Sequence, residues 1–487
     1  MNTSLFKSLL IGSLAALITA CGGGGGGSIA DAGIGGSGIT SVGSVTAIGS
    51  ITVNGVKFDT QSATVTVDDS PGLESDLKVG LVTKTTGTLN NDRVTGKATR
   101  VEVSNELKGT VDAPPVITAG TFIVFRQVVV VDANTVFDNA TGLADLTIGM
   151  PVEVSGFRDA TGQVRATRVE KKASVPATFE VKGMIGTVDN VAKTFTLGNL
   201  TVNFANAPPI NLPASGLLTP NLPVEVKATS APVAGVLTAT SVEVRAGGLG
   251  QISGEVRLEG IMNGLTGSAP VFSFTVNGQN VSTNSNTAYD KGTFANLVNN
   301  IQVEVEGQIT NGVLVAAKVK FEEKKNDVKI TAQVVTKSTT APSLTVLGTP
   351  GGVTVTTDIA TIFQDNSSKK LRVFGFADVQ VNDWLEIEAA KDGPTSVAAT
   401  KVVRVNVPSN TRTILQGPSD IDTALPIIKI LAVAGFTQTT TTFQDANGNP
   451  LTRATFFGQV TTNKIVKMRG LFTGMQITPV EEAQLQN

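Results

Sequence analysis

Carboxylates are the side chains best placed to do chemistry in this chain. Glu153 and Glu170 sit on neighbouring β-like segments, and a carboxylate pair at a defined separation is the machinery of glycoside hydrolysis. Asp445-Ala446-Asn447-Gly448-Asn449 alternates oxygen-bearing side chains in the manner of a calcium loop. Asp68, Asp69, Glu74 and Asp76 crowd a stretch where a cation could sit. Each grouping has a plainer reading. An EF-hand loop needs glycine at its sixth position and glutamate at its twelfth, where this chain has Pro450 and Phe456. The acidic stretch reads as a solvated loop between two strands. Glu153 and Glu170, with Glu102, Arg100, Arg165 and Arg168, belong to a pattern that recurs along the chain, and an active site seldom repeats in every structural unit. Cross-strand Arg–Glu pairs on a barrel surface account for that pattern. No residue is therefore assigned a catalytic, cofactor-binding or metal-ligating role, and no cofactor is expected.

Composition narrows the field further. Histidine is absent from the 487 residues, which removes imidazole acid–base catalysis, His-dependent nucleophile pairs and His-ligated zinc. Cys21 is the one cysteine, so no disulfide within the chain and no multi-thiolate metal site can form. A net charge of −2 gives no field that would draw in a polyanion. Trp384 and Tyr289 stand far apart, and Phe122, Phe125 and Phe137 read as core, so platforms for stacking bases are scarce. Nucleic acid is not an expected partner. Hydrophobic residues make up 41% of the chain, enough for real cores, and the chain reads as globular.

Cys21 has a telling context. Lys7 precedes an apolar run from Ser8 to Thr19, shorter than the ~20 residues a bilayer span requires and suited to the h-region of an export signal. Leu17-Ile18-Thr19-Ala20-Cys21 then leads into a run of glycines. This arrangement resembles the lipobox of bacterial lipoproteins. The resemblance implies cleavage before Cys21, diacylation of its thiol and acylation of the freed amine. Gly22, where an aspartate would favour retention in the inner membrane, implies the outer membrane. Several acyl chains hold a protein stably, so the membrane itself is the expected partner, reached through the anchor. Residues 22–38 form a Gly/Ser tether with an end-to-end distance of about 20–25 Å. It is no phosphate loop, since neither Lys-Ser/Thr nor a helix follows.

Beyond the tether the chain repeats. An alternating strand ending in a small residue, clearest in Pro151-Val152-Glu153-Val154-Ser155-Gly156, recurs at Gly80–Gly87, Leu222–Ala228, Ile301–Gly307, Asp383–Ala389 and Lys464–Gly470. After a polar turn comes Ala98-Thr99-Arg100-Val101-Glu102, repeated at Ala166–Glu170, Ala239–Glu243, Ala316–Lys320, Ala399–Val403 and Ile477–Glu481. The period is roughly 70–80 residues. In the second copy the two landmarks form a hairpin turning at Asp159-Ala160-Thr161-Gly162, and Leu143–Met150 has room for one helical turn. Ala166 and Val169 have opposite parity, which predicts a bulge between them if both face inward. So short an all-β unit suits a closed barrel of the OB or SH3-like kind better than a sandwich.

The lipobox and glycine start, Gly33-Ile34-Gly35-Gly36-Ser37-Gly38, the string Gly49–Phe58 and the repeated Val-Glu-Val and Ala-Thr-Arg-Val-Glu strands are similar to bacterial lipoproteins built of tandem domain-of-unknown-function 5666 repeats. That family implies an OB-like barrel per repeat and supplies neither an activity nor catalytic residues. The expected fold is all-β, a tandem array of about six small barrels. A signal peptide occupies 1–20 and the lipidated cysteine with its linker 21–38. Repeats follow at 39–105, 106–178, 179–248, 249–325, 326–408 and, more divergent, 409–487; these are modules 1 to 6 below. Neighbours packed in file would make a rod on the order of 150 Å. The expected protein is a lipid-anchored, non-catalytic rod of the bacterial cell envelope, on the periplasmic face of the outer membrane or the cell surface. It would act as a spacer or bind an envelope protein or glycan. The alternatives are a carboxylate-dependent, glycan-active enzyme in one module, or OB-type binding of oligosaccharide or nucleic acid.

Overall fold

Module 2 shows how the alternating segments close on themselves. Its first strand, Leu107–Val116, pairs antiparallel with Thr121–Val124, which turns back as Gln127–Val130. The third strand lies parallel to the fifth, Val164–Lys171. The fifth pairs antiparallel with the fourth, Pro151–Arg158, and the fourth returns to the first. This order, first-second-third-fifth-fourth-first, is a small closed barrel of the OB kind. A short strand, Val136–Asp138, and a single 3-10 turn, Leu143–Asp145, connect the third strand to the fourth. The computed structural model describes residues 38–245, 248–250, 252–322, 327–348, 352–420, 426–473 and 475–486. Cys21, the apolar leader and the glycine run lie outside the described residues.

The other modules repeat this order, with local departures. In module 3 the fifth strand is broken into Val236–Thr238 and Ser241–Val244. In module 6 a single bridge from Ser419 to Ile430 completes the ring, and the helix Arg453–Gln459 replaces the 3-10 turn. The predicted bulge is present. Ser155 faces Arg168 and Gly156 faces Ala166, leaving Thr167 without a partner across the ladder. The same shift falls at Gly87, Gly307 and Ala389. A side chain on Gly156 would collide with the carbonyl oxygen of Arg165, which explains the glycine that ends the valine-rich strand. The apolar run Phe122–Val131 reads as one segment but folds as a hairpin, with Phe125 and Arg126 at φ +52° and +56°. Modules 1 and 4 place Asn54-Gly55 and Asn277-Gly278 at the equivalent turn, residues that adopt positive φ at lower cost.

The modules do not stand in file. The first strand of each barrel is long, and part of one edge remains unpaired within its own ring. In module 1 the fourth strand takes residues 38–44 and the second strand takes only Val45 and Ala47. Another module's first strand fills the vacant edge. Modules 2 and 3 pair antiparallel there, as do modules 5 and 6, whereas module 1 pairs parallel with module 4, Ile39 beside Glu255 through Val42 beside Leu258. Further contacts draw the pairs together: Lys78 of module 1 reaches module 2, Arg372 of module 5 reaches the Glu74 and Leu77 carbonyls of module 1, and Lys401 of module 5 reaches the Thr135 carbonyl of module 2. The described chain from Gly38 onward is thus one compact unit and not the rod expected from the repeat alone. The physical reason is the open strand edge, which presents backbone groups that must be satisfied. Among the described residues no helix is long and apolar enough to cross a membrane.

Candidate functional site

The outward faces of the fourth and fifth strands carry the charged residues singled out by the sequence, and in module 2 the register sets Glu153 opposite Glu170. These faces are not the wet barrel surface expected. Arg168 is 4% exposed and Glu170 8%, because module 1 packs over them. Lys78 donates to Asp138 at 3.2 Å and to Glu170 at 3.0 Å. The Arg168 guanidinium donates to the Val79 carbonyl at 2.9 Å and pairs with Asp138 and Glu170. In module 2 the recurring acids and bases are therefore joints between modules, whereas Arg100 and Glu102 pair with each other at 3.0 Å within module 1, and Arg100 is exposed.

Where modules 1, 2 and 3 meet they enclose a cleft of ≈ 420 Å³. Module 1 lends it Asp68, Asp76 and Lys78, module 2 lends Lys108, Glu153, Glu170 and Lys172, and module 3 lends Glu180 and Lys227. Lys172 bridges the two glutamates, donating to Glu153 at 3.2 Å and Glu170 at 3.0 Å. Lys108 sits 3.7 Å from both Asp68 and Glu153, close enough for attraction and too far for hydrogen bonds. Its ammonium keeps donors to spare on the cleft wall.

The electrostatics divide the acids. Burial works against ionisation of Glu170, but Arg168 and Lys78 outweigh it and bring its carboxyl down to about 2. Burial dominates at Glu180 and raises its carboxyl despite Lys182 at 3.1 Å. At Lys172 burial opposes the charge, yet Glu153 and Glu170 raise its ammonium above the usual range. Glu170 thus holds no proton to donate near neutrality, and the general acid of a glycosidase pair would have to be another group.

The remaining candidates part company. Asp445 closes its own turn, accepting from the Asn447 and Asn449 amides at 2.9 and 2.8 Å. Asp68 binds the Asn105 backbone, Glu74 accepts from Thr60 at 2.7 Å, and Asp76 accepts from the Leu73 amide at 2.8 Å. Asp69 leaves this stretch to join Glu225 and Glu243 of module 3, whose carboxylate oxygens lie within 4.8 Å of one another and of Asp69. Lys227 and Arg245 already meet that charge, at 3.0 Å to Asp69 and 3.3 Å to Glu243. Trp384, Phe122 and Phe125 are buried, while Tyr289 meets Phe294 and Phe321 in module 4. Sequence reasoning missed Lys78, Lys108, Lys172 and Lys227. Lys108, Lys172 and Lys227 share the outward parity that marked the glutamates, read there as exposure, whereas Lys78 lies in a loop and carries no such signal.

Five tandem stretches match the family model described as "Domain of unknown function (DUF5666)": residues 39–102, 108–170, 182–243, 259–320 and 334–403. The matched stretches cover more than half of the chain. This chain belongs to the DUF5666 family. Each DUF5666 match falls on one barrel, and the sixth barrel has the same strand order without a match. No curated protein matches the chain. Among solved structures the chain is similar to "drosophila Unr CSD456", with 14% identity over 45% of this chain and 98% of that one. The TM-score is 0.12, too low for the likeness to bear on fold or function.

Proposed function

We propose that this DUF5666 chain is a lipid-anchored, non-catalytic binding protein of the bacterial envelope, held at the outer membrane through Cys21. The observation that carries this reading is the placement of Cys21 between an apolar leader and a glycine run that ends as the first barrel strand begins at Gly38. Acylation there would hold the barrel assembly within a tether's length of the bilayer. The charged cleft between modules 1, 2 and 3 is the candidate ligand site, with the spare donors of Lys108 facing a polar or zwitterionic ligand. Support for a non-catalytic role comes from the pairing of its carboxylates with lysines, which suits holding better than proton transfer.

Metabolic labelling with tritiated palmitate tests the anchor. The wild type should take up label and partition with membranes, and Cys21→Ala should lose both. An unlabelled wild type, or a Cys21→Ala protein that keeps its label, refutes the anchor. Protease accessibility on intact and lysed cells then assigns the face of the membrane.

A further inference from the structure

Module 4 carries a row of four aromatic rings. Phe272 stacks on Phe294 with centroids 6.5 Å apart, Phe294 meets Tyr289 edge-on at 6.5 Å, and Tyr289 stacks on Phe321 at 6.3 Å. The register identifies equivalent positions elsewhere. Where Tyr289 lies beside Val319 and Phe321 beside Val303, module 2 has Phe137 and Lys171, and module 5 has Phe363 and Arg404. Module 6 has Phe443 and Leu485 there, also without a cation, but its Phe443 and Phe456 are buried, whereas module 4 leaves Phe294 exposed. Gly292 permits the arrangement, since a side chain there would run into the Phe321 ring.

The row is not sealed into the core. Phe294 is 50% exposed, and Tyr289 and Phe272 are half-buried. One amide lies beside it, since the Asn296 side chain and the Phe321 ring both close on Gly292. Asn296 spends its carbonyl oxygen on the Thr293 amide at 2.8 Å. Among the described residues its amide NH2 group and the Tyr289 hydroxyl have no hydrogen-bond partner. The nearest exposed charges, Asp290 and Lys291, cancel, and Lys318 and Lys320 are held by Glu306 and Glu304.

We infer that this end of module 4 binds a neutral glycan, stacking a sugar ring on Phe294 with Tyr289 at its edge and meeting its hydroxyls with the Asn296 amide and the Tyr289 hydroxyl. An aromatic face suits the C–H side of a pyranose, and uncommitted N–H donors suit its hydroxyl oxygens. The absence of a basic groove at this end argues against a phosphate backbone. The platform lies in a different module from the charged cleft, and it stands or falls independently of the anchor.

Affinity electrophoresis of the full chain in detergent, through gels containing a neutral β-glucan, a galactomannan or soluble chitin oligomers, tests it. At least one should retard the protein. Phe294→Ala should weaken that retardation about tenfold. Tyr289→Phe keeps the ring packing and removes only the hydroxyl, so it should weaken retardation about threefold with the fold intact. Val191→Ser, at an exposed turn of module 3, serves as the control and should change nothing. No retardation by any of the three polymers overturns the assignment, as does retardation unaltered in Phe294→Ala. Retention on oligothymidylate in place of glycan, lost in Phe294→Ala, likewise overturns the choice of ligand.

Discussion

Modules 2 and 3 share a hydrocarbon core, whereas modules 1 and 4 meet through amides and a carboxylate. In the first pair Phe125 packs edge-on to Phe179 with centroids 6.1 Å apart, and the two barrels share one continuous core. Modules 5 and 6 share theirs in the same way. Modules 1 and 4 keep separate cores. Between them Asn54 donates to the Arg257 carbonyl at 3.2 Å, and Arg257 returns a bond to the Asn54 carbonyl at 3.1 Å. Ser44 donates its amide to Glu259, 215 residues away, at 2.7 Å. Modules 2 and 3, and modules 5 and 6, follow one another in the chain and are already neighbours, so a shared apolar core can form between them. Strands drawn from distant modules must find one register among many, and directional bonds select it where apolar contact does not.

The comparison breaks most visibly at Phe125. Phe125→Ala should cost about 3–5 kcal/mol by opening a hole in the shared core, read as a lowered denaturation midpoint. A loss below about 1 kcal/mol would show that the seam is not a core. The charged joint between modules 1 and 2 responds to acid. Glu170 has a folded pKa of about 2, depressed below the ordinary 4.5. Its stabilisation is therefore present above pH 4.5 and lost as pH falls towards 2. It amounts to roughly 2–3 kcal/mol, less in Glu170→Gln, whose acid limb of stability against pH should be shallower. Identical acid limbs would remove Glu170 from that joint.

The polar seam responds in the opposite direction. Burial, reinforced by the negative charge of Glu322, raises the carboxyl of Glu259 from 4.5 to about 7. Its contribution is intact below pH 4.5 and lost as pH rises through 7. Glu259→Gln should be the more stable protein at pH 8, by about 2 kcal/mol, and equal to wild type near pH 4 in thermal melts. A variant less stable than wild type at pH 8 would mean that Glu259 is held as an anion by its Ser44 and Gln302 bonds. The smallest effect belongs to Val191→Ser, 93% exposed, which should leave the melting curve unchanged within about 0.5 kcal/mol.

Much of the single barrel was legible in the sequence. Alternation at Val152 and Val154 marks a half-buried strand, the parity shift before Val169 marks the bulge, and the terminal glycine marks a close carbonyl. The hairpin hidden in Phe122–Val131 was not legible, because Phe125 and Arg126 are poor turn formers that the seam with module 3 holds in place. The candidate cleft was half visible. Glu153 and Glu170 stood out by repetition, but of the lysines that meet them only Lys172 follows directly on the strand of Glu170; Lys108 comes from another strand and Lys78 from another module.

Periodicity of side chains is a local property, so the chain's own order of residues determined the barrel, its bulge and the number of its copies. Which barrel lies against which is a matter of open strand edges and of shapes that exist only after each barrel has closed. Tertiary structure alone therefore decided that module 1 pairs with module 4, that charged faces are buried as joints, and that the array is compact. Alternation tells a strand which face is polar; it does not say whether water or another barrel will cover it.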